Sequence, residues 1–194
     1  MSEVLTDAES TALAGLGYSE EWLASGLLDR RLLEDQYQRL QAGGTRKTGQ
    51  YRSKAVTAWL AGAGSIGDAQ LDAFLALMSA DPDPKMARAA IAELIQSPRV
   101  DLEQLGRIAL SNPKLMRSHE PLIRRTYLTR RMDDEVTDEL IAQVIELQDA
   151  SIQTRLVRDV RLARKHAELL AKRGANPTIR ANAQAWFQDK SFWR

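Results

Sequence analysis

Few side chains in this sequence are suited to acid–base or metal chemistry. There are two histidines, His119 and His166, and no cysteine. An imidazole acts as base or ligand only with a partner that receives or shares its proton or metal. No nucleophile or ligand set is visible around either histidine, so both are expected at the surface or at the core boundary. The missing thiols exclude a cysteine nucleophile, a disulfide framework, iron–sulfur clusters and cysteine-bearing zinc sites. Asp133, Asp134, Glu135, Asp138 and Glu139 crowd together, but without the turn glycine and the twelfth-position Glu of a calcium loop. They are read as the acidic start of a helix reaching about 147, complementing its dipole. Asp81 and Asp83 are read as turn residues. No metal and no catalytic constellation are expected.

Two glycine-rich stretches need the same scrutiny. Gly62-Ala63-Gly64-Ser65-Ile66-Gly67 spells G-x-G-x-x-G. That fingerprint binds a pyrophosphate only between a strand and a helix of a βαβ unit, whereas the residues before it, Ala58-Trp59-Leu60, read as helix. It is expected to be a helix–helix loop. Gly44-Thr45-Arg46-Lys47-Thr48-Gly49 lacks the G-K-[ST] order of a phosphate loop and is expected to be a surface loop. No cofactor is expected.

The elements that must position any site are helices. Ala (27) and Leu (26) dominate over Val and Ile (16 together), a balance that favours helix over strand. Leu71, Phe74, Leu75 and Met78 recur at i, i+3, i+4, i+7, as one helical face requires. Leu102, Leu105, Ile108 and Ala109 follow a similar pattern, as do Val136, Leu140, Ile141 and Val144. The reading is all-α, with about ten segments. Starts are expected at Thr6 or Asp7, at Ser19, and after Asp83, Asn112 and Asn176. Pro121 is expected to kink or split a helix over 114–131. The stretch 150–173, free of Gly and Pro, reads as one long helix or as two. The acidic start of the chain and the lack of an apolar run of about eighteen residues predict no signal peptide, no membrane span and a cytoplasmic protein.

The turns repeat. Asp83-Pro84, Asn112-Pro113, Asp149-Ala150 and Asn176-Pro177 each close one helix and open another, at a spacing near 31 residues. Proline suits a first helical position because its missing amide has no partner to lose there. After each turn comes an apolar–polar pair and a helical apolar row: Tyr51-Arg52 upstream, then Ala87-Arg88, Ile152-Gln153 and Ile179-Arg180. The polar member is expected near the turn between repeats. The segments Asp81-Pro82-Asp83-Pro84-Lys85-Met86-Ala87-Arg88 and Asn176-Pro177-Thr178-Ile179-Arg180-Ala181-Asn182-Ala183 resemble HEAT/armadillo-like repeats, including bacterial leucine-rich variants. The resemblance covers roughly residues 46–190 in four or five units, with Glu120 and Gln153 departing from the pattern. It implies an α–α superhelix, a right-handed solenoid over 46–194, with capping helices in 1–45. It also implies a scaffold for protein partners, with nucleic acid bound by some members. HEAT-like DNA glycosylases carry an aromatic-plus-Asp constellation, to which Trp186 and Asp189 are the nearest approach.

With a formal net charge of +1, any electrostatic function must come from local patterning. Residues 106–131 hold seven basic side chains against one acidic, 132–149 seven acidic and none basic, and 150–194 ten basic against three acidic. Arginine supplies 20 of the 27 cations, and its planar fork suits carboxylates and phosphates. Helical projection groups Arg117, Arg124 and Arg131 on one face and Arg158, Arg161, Lys165 and Lys172 on another. With Arg180 these form an expected basic stripe on the second helices of the repeats. The function expected is a non-enzymatic scaffold or adaptor taking a protein or acidic peptide on Arg117, Arg124, Arg131, Arg158, Arg161, Lys165 and Arg180. The alternative is a duplex nucleic-acid binder using the same face. The aromatic residues Trp186, Phe187, Phe192 and Trp193 at one end, and Tyr18, Trp22 and Tyr37 at the other, are expected to cap the array.

Overall fold

The computed structural model of the chain describes residues 6–42, 48–111, 117–160 and 162–188. Among these residues every regular element is a helix. They fall into two compact units, Met1–Glu120 and Pro121–Arg194. Among the described residues no helix is long and apolar enough to cross a membrane.

The first unit contains α1 (Asp7–Gly15), α2 (Glu20–Ala24), α3 (Arg30–Gln41), α4 (Thr48–Leu60), α5 (Asp68–Ala80), α6 (Pro84–Gln96) and α7 (Leu102–Ser111). Its starts follow the local chemistry. Thr6 forms a capping box with Glu9, the Glu9 amide donating to the Thr6 hydroxyl (3.3 Å) and the Thr6 amide to the Glu9 carboxylate (2.8 Å). Asp83 accepts from the amides of Lys85 (3.0 Å) and Met86 (3.2 Å), and Pro84 begins α6. Such caps each contribute about 1 kcal/mol. Leu71, Phe74, Leu75 and Met78 bury the expected face of α5. Ala87, Ala90, Ile91, Leu94 and Ile95 of α6 pack in the same unit. On α7, Leu105 and Ile108 are buried while Ala109 is turned to solvent. Tyr18 and Trp22, expected as caps, are buried with their rings edge to face at 5.8 Å.

The Gly62–Gly67 stretch joins α4 to α5 and is tied down by Arg99. The Arg99 guanidinium donates through Nε to the Gly64 carbonyl (2.8 Å) and through Nη1 to the Trp59 carbonyl. It also lies over the Trp59 ring, 5.8 Å from its centroid. Gly64 stands at φ +78°, a conformation costly for any residue with a Cβ. The glycines thus serve a helix–helix loop.

The second unit contains α8 (Glu120–Asp134), which begins at the boundary, then α9 (Asp138–Leu147), α10 (Ala150–Asp159), α11 (Arg164–Arg173) and α12 (Pro177–Gln188). Its core joins Leu128, Leu140, Val144, Leu156, Leu170 and Ala183, with Trp186 packed against it. Three expectations are decided here. The helix expected over 114–131 does not run through unbroken: residues 117–119 form a turn, α8 starts at Glu120, and Pro121 lies in its first turn, where no intrahelical bond is lost. Asp133 and Asp134 close α8 instead of opening the next helix. Thr137 caps α9, accepting from the Leu140 amide (3.2 Å), and Asp133 is paired with Arg155. The stretch 150–173 is two helices. Val160 turns to an extended conformation (φ −110°, ψ 131°) and Leu162 is buried, so burial of apolar side chains breaks a run with no Gly or Pro. The segment around Asn112-Pro113, residues 43–47, the Phe187 side chain, Phe192 and Trp193 lie outside the described residues, while Thr48 and Gly49, expected in a loop, open α4.

Candidate functional site

The chain turn between α8 and α9 lays two oppositely charged rows beside one another. On α8, Arg124, Tyr127 and Arg131, at i, i+3 and i+7, share one face, which lies between the buried Ile123 and Leu128; Arg124 and Tyr127 are exposed and Arg131 is half-buried. On α9, Leu140, Ile141, Val144 and Ile145 are buried, which leaves Glu139, Gln143 and Glu146, at i, i+4 and i+7, on its outer side. Two adjoining concavities run along the furrow. The one nearer the turn, about 200 Å³, brings Arg131 and Glu139 together. The other, about 450 Å³, brings Arg124 and Glu146 together above Leu128 and Leu147. Tyr127 and Gln143 line both. Tyr127 is 36% exposed, a high value for a large apolar ring in this chain. Gln143 donates to the Glu139 carboxylate at 3.4 Å, holding the acidic row in shape.

Of the seven cations expected to take the partner, Arg124 and Arg131 share this furrow. Arg117 lies in the turn before α8, outside its helical face. Arg158 is exposed near the end of α10, and Arg161 lies outside the described residues. Lys165 stands in the first turn of α11, bonded to Asp138. The break between α10 and α11 therefore removes the single-helix face on which Arg158, Arg161, Lys165 and Lys172 were projected. Arg180 is half-buried on α12 and donates through Nη1 to the Gly174 carbonyl at 2.7 Å, which is a fold contact. The sequence pattern marked Glu139 only as part of an acidic helix start, and Tyr127, Gln143 and Glu146 were not expected as site residues. The signal was there in the matching seven-residue spacing of Arg124/Arg131 and Glu139/Glu146 on successive helices.

Both histidines, expected at the surface or at the core boundary, are buried, at 6% and 7% exposure. His119 Nε2 lies 3.0 Å from the Arg88 carbonyl oxygen and Nδ1 3.2 Å from the Ser118 hydroxyl. Since a carbonyl only accepts, Nε2 carries the proton. His166, 7% exposed, places Nε2 3.2 Å from the Asp138 carboxylate, while its buried Nδ1 has no hydrogen-bond partner. Burial pushes the His166 imidazole below its ordinary pKa, and this outweighs the opposing pull of Asp138. The hydrogen bond from Lys165 holds the Asp138 carboxyl below the usual range. A third concavity, about 600 Å³, opens in the first unit between Trp22 and the small side chains Ala73, Ala76 and Ala80 of α5. Neither histidine lines any of the three concavities. No cluster of three or more potential metal-ligating side chains occurs among the described residues.

No protein-family model, curated protein or solved structure matches the chain.

Proposed function

We propose that the chain is a non-enzymatic protein-interaction module of HEAT-like helix pairs, binding an acidic protein segment on the Arg124–Tyr127–Arg131 row. The observation that carries this reading is the furrow itself: two arginines flank an exposed tyrosine along a concavity open to solvent. Tyrosine and arginine are among the side chains enriched at binding hot spots, each offering apolar area together with a polar handle. The repeat architecture draws support from recurring local chemistry. Asp83, Asp149 and Asn176 each cap the helix that follows. Arg52, Gln153 and Arg180, the polar members of three apolar–polar pairs, each bond to a backbone carbonyl at an inter-helix turn or helix end.

The acidic row opposite bears on the choice of partner. A duplex presents phosphates across its whole width, and those near Glu139 and Glu146 would be repelled, whereas a protein segment can place acids on one side only. Fluorescence anisotropy with a labelled acidic peptide and with a labelled duplex, each titrated with salt, separates the two. The peptide is expected to bind at low salt and to lose about tenfold or more when Arg124 and Arg131 are both reversed to Glu. Failure of every acid-bearing peptide, whether acidic throughout or on one flank only, to bind at low salt removes the reading. Tight duplex binding with a steep salt dependence, lost on the same reversal, replaces it with the nucleic-acid alternative.

A further inference from the structure

We infer that the segment held in the α8–α9 furrow is an α-helix with acidic residues on one flank and basic residues on the other, each set seven residues apart. This rests on the reading of the furrow as a protein-binding site and goes on to specify its occupant. Arg124 and Arg131 are separated by seven residues, as are Glu139 and Glu146. At 1.5 Å per residue each pair spans about 10.5 Å. The furrow thus has two rims of equal length and opposite sign, with Arg131 and Glu139 lining one end together and Arg124 and Glu146 the other.

Only some backbones can answer both rims. A helix repeats on one face after seven residues, again about 10.5 Å, so a single pair on each flank meets both charges of the facing rim. A strand puts side chains on the same side every two residues, at about 6.6–6.8 Å, and neither one nor two such steps matches the rim. Ridges of a third helix also seat naturally in the groove between two others. Between the flanks, the seam of the incoming helix lies over Tyr127 and Gln143, the two residues common to both concavities. Small or apolar side chains there would cover the ring.

The two signs also set direction. Turning the bound helix end for end exchanges its flanks and brings like charges together on both rims. A uniformly acidic helix gains at the Arg124–Arg131 rim and loses at the Glu139–Glu146 rim, so more negative charge does not give tighter binding.

The test uses the full chain and three labelled Ala-rich helical peptides of equal length. The first has Glu pairs at seven-residue spacing on one flank and Lys pairs on the other. The second has the same composition with Glu and Lys mixed on each flank, and the third carries Glu on both. Anisotropy is expected to show the first binding about tenfold tighter than either other, a difference equivalent to two exposed charge pairs. Arg124→Glu/Arg131→Glu should weaken the first peptide about tenfold. Glu139→Lys/Glu146→Lys should weaken the first and strengthen the third. Arg124, Glu139 and Glu146 are exposed and Arg131 is half-buried, and circular dichroism melts confirm that each variant folds. If the third peptide binds the unmodified chain as well as the first, the two-flank inference fails while the acidic-partner reading stands. Binding by none of the three defeats that reading and the inference with it.

Discussion

Arg52 and Asp81, 29 residues apart in the chain, meet through two parallel hydrogen bonds, Nε to Oδ2 at 2.9 Å and Nη2 to Oδ1 at 3.1 Å. Their side chains are 3% and 0% exposed. The third arm of the guanidinium, Nη1, donates to the Gly17 carbonyl at 2.9 Å, and Asp81 also accepts from the Asp83 amide at 2.8 Å. One buried ion pair therefore joins the α1–α2 turn, α4 and the α5–α6 turn. Nearby, the Tyr18 hydroxyl donates to Gln36 (2.8 Å) and lies 3.0 Å from the Tyr51 carbonyl. Burial pushes the Tyr18 phenol up to about 12.

Removing one member of this pair leaves the other as an uncompensated buried charge. Asp81→Asn and Arg52→Met are each expected to cost the first unit about 3–5 kcal/mol, read from urea unfolding. Arg52→Met/Asp81→Leu together should recover much of that loss, because neither charge then has to be desolvated. A double variant as unstable as the two single changes combined would show that the pair is not a coupled unit.

Gln153 does a comparable job in the second unit. Its amide donates to the carbonyls of Val144 (3.2 Å) and Ile145 (3.0 Å), and its oxygen accepts from the Ala175 amide (2.8 Å), at 0% exposure. Gln153→Leu keeps the approximate volume but strands these backbone groups. A loss of about 2–4 kcal/mol is expected, with the Ala175 amide exchanging faster with deuterium. A change under about 0.5 kcal/mol would mean that water takes over these bonds.

Two glycines should respond in opposite directions. A Cβ on Gly174 would sit 2.7 Å from the Leu170 carbonyl oxygen and 2.9 Å from Ile179 Cγ2. Gly174→Ala is thus expected to destabilise by about 1–3 kcal/mol through overpacking. Gly106 lies inside α7 with nothing within 4 Å of its added Cβ. Gly106→Ala should stabilise by about 0.5–1 kcal/mol through helix propensity. Thermal melts of the two variants in parallel check the contrast.

Acid should loosen the second unit through His166. Its pKa is lowered in the folded chain from the ordinary 6.5. Just below that pH the unfolded chain therefore binds a proton that the folded chain does not, and stability falls as pH drops. Asp138, also lowered, works in the same sense at more acidic pH. Urea midpoints at pH 7.5 and 5.5 should show the fall, and His166→Phe should reduce it while removing the unpartnered Nδ1. A midpoint that rises on acidification would contradict this sign.

Local chemistry alone was enough to read much of the helical plan. The apolar row Leu71, Phe74, Leu75 and Met78 is buried as spaced, and Thr6, Ser19, Asp83, Asp149 and Asn176 cap helices where their short polar side chains stand. These features depend on residues within about one turn of each other, so the linear order carries them. Tertiary packing decided the rest. The helix breaks after Asp159 where Leu162 is buried, the start of α9 at Thr137 leaves Asp133 to pair with Arg155, and His166 is buried beside Asp138. The furrow belongs to the same class. Its basic row was legible on α8, but its acidic rim becomes a rim only when α9 folds back beside it. Which side of each helix water still reaches is set by the apolar neighbours it packs against.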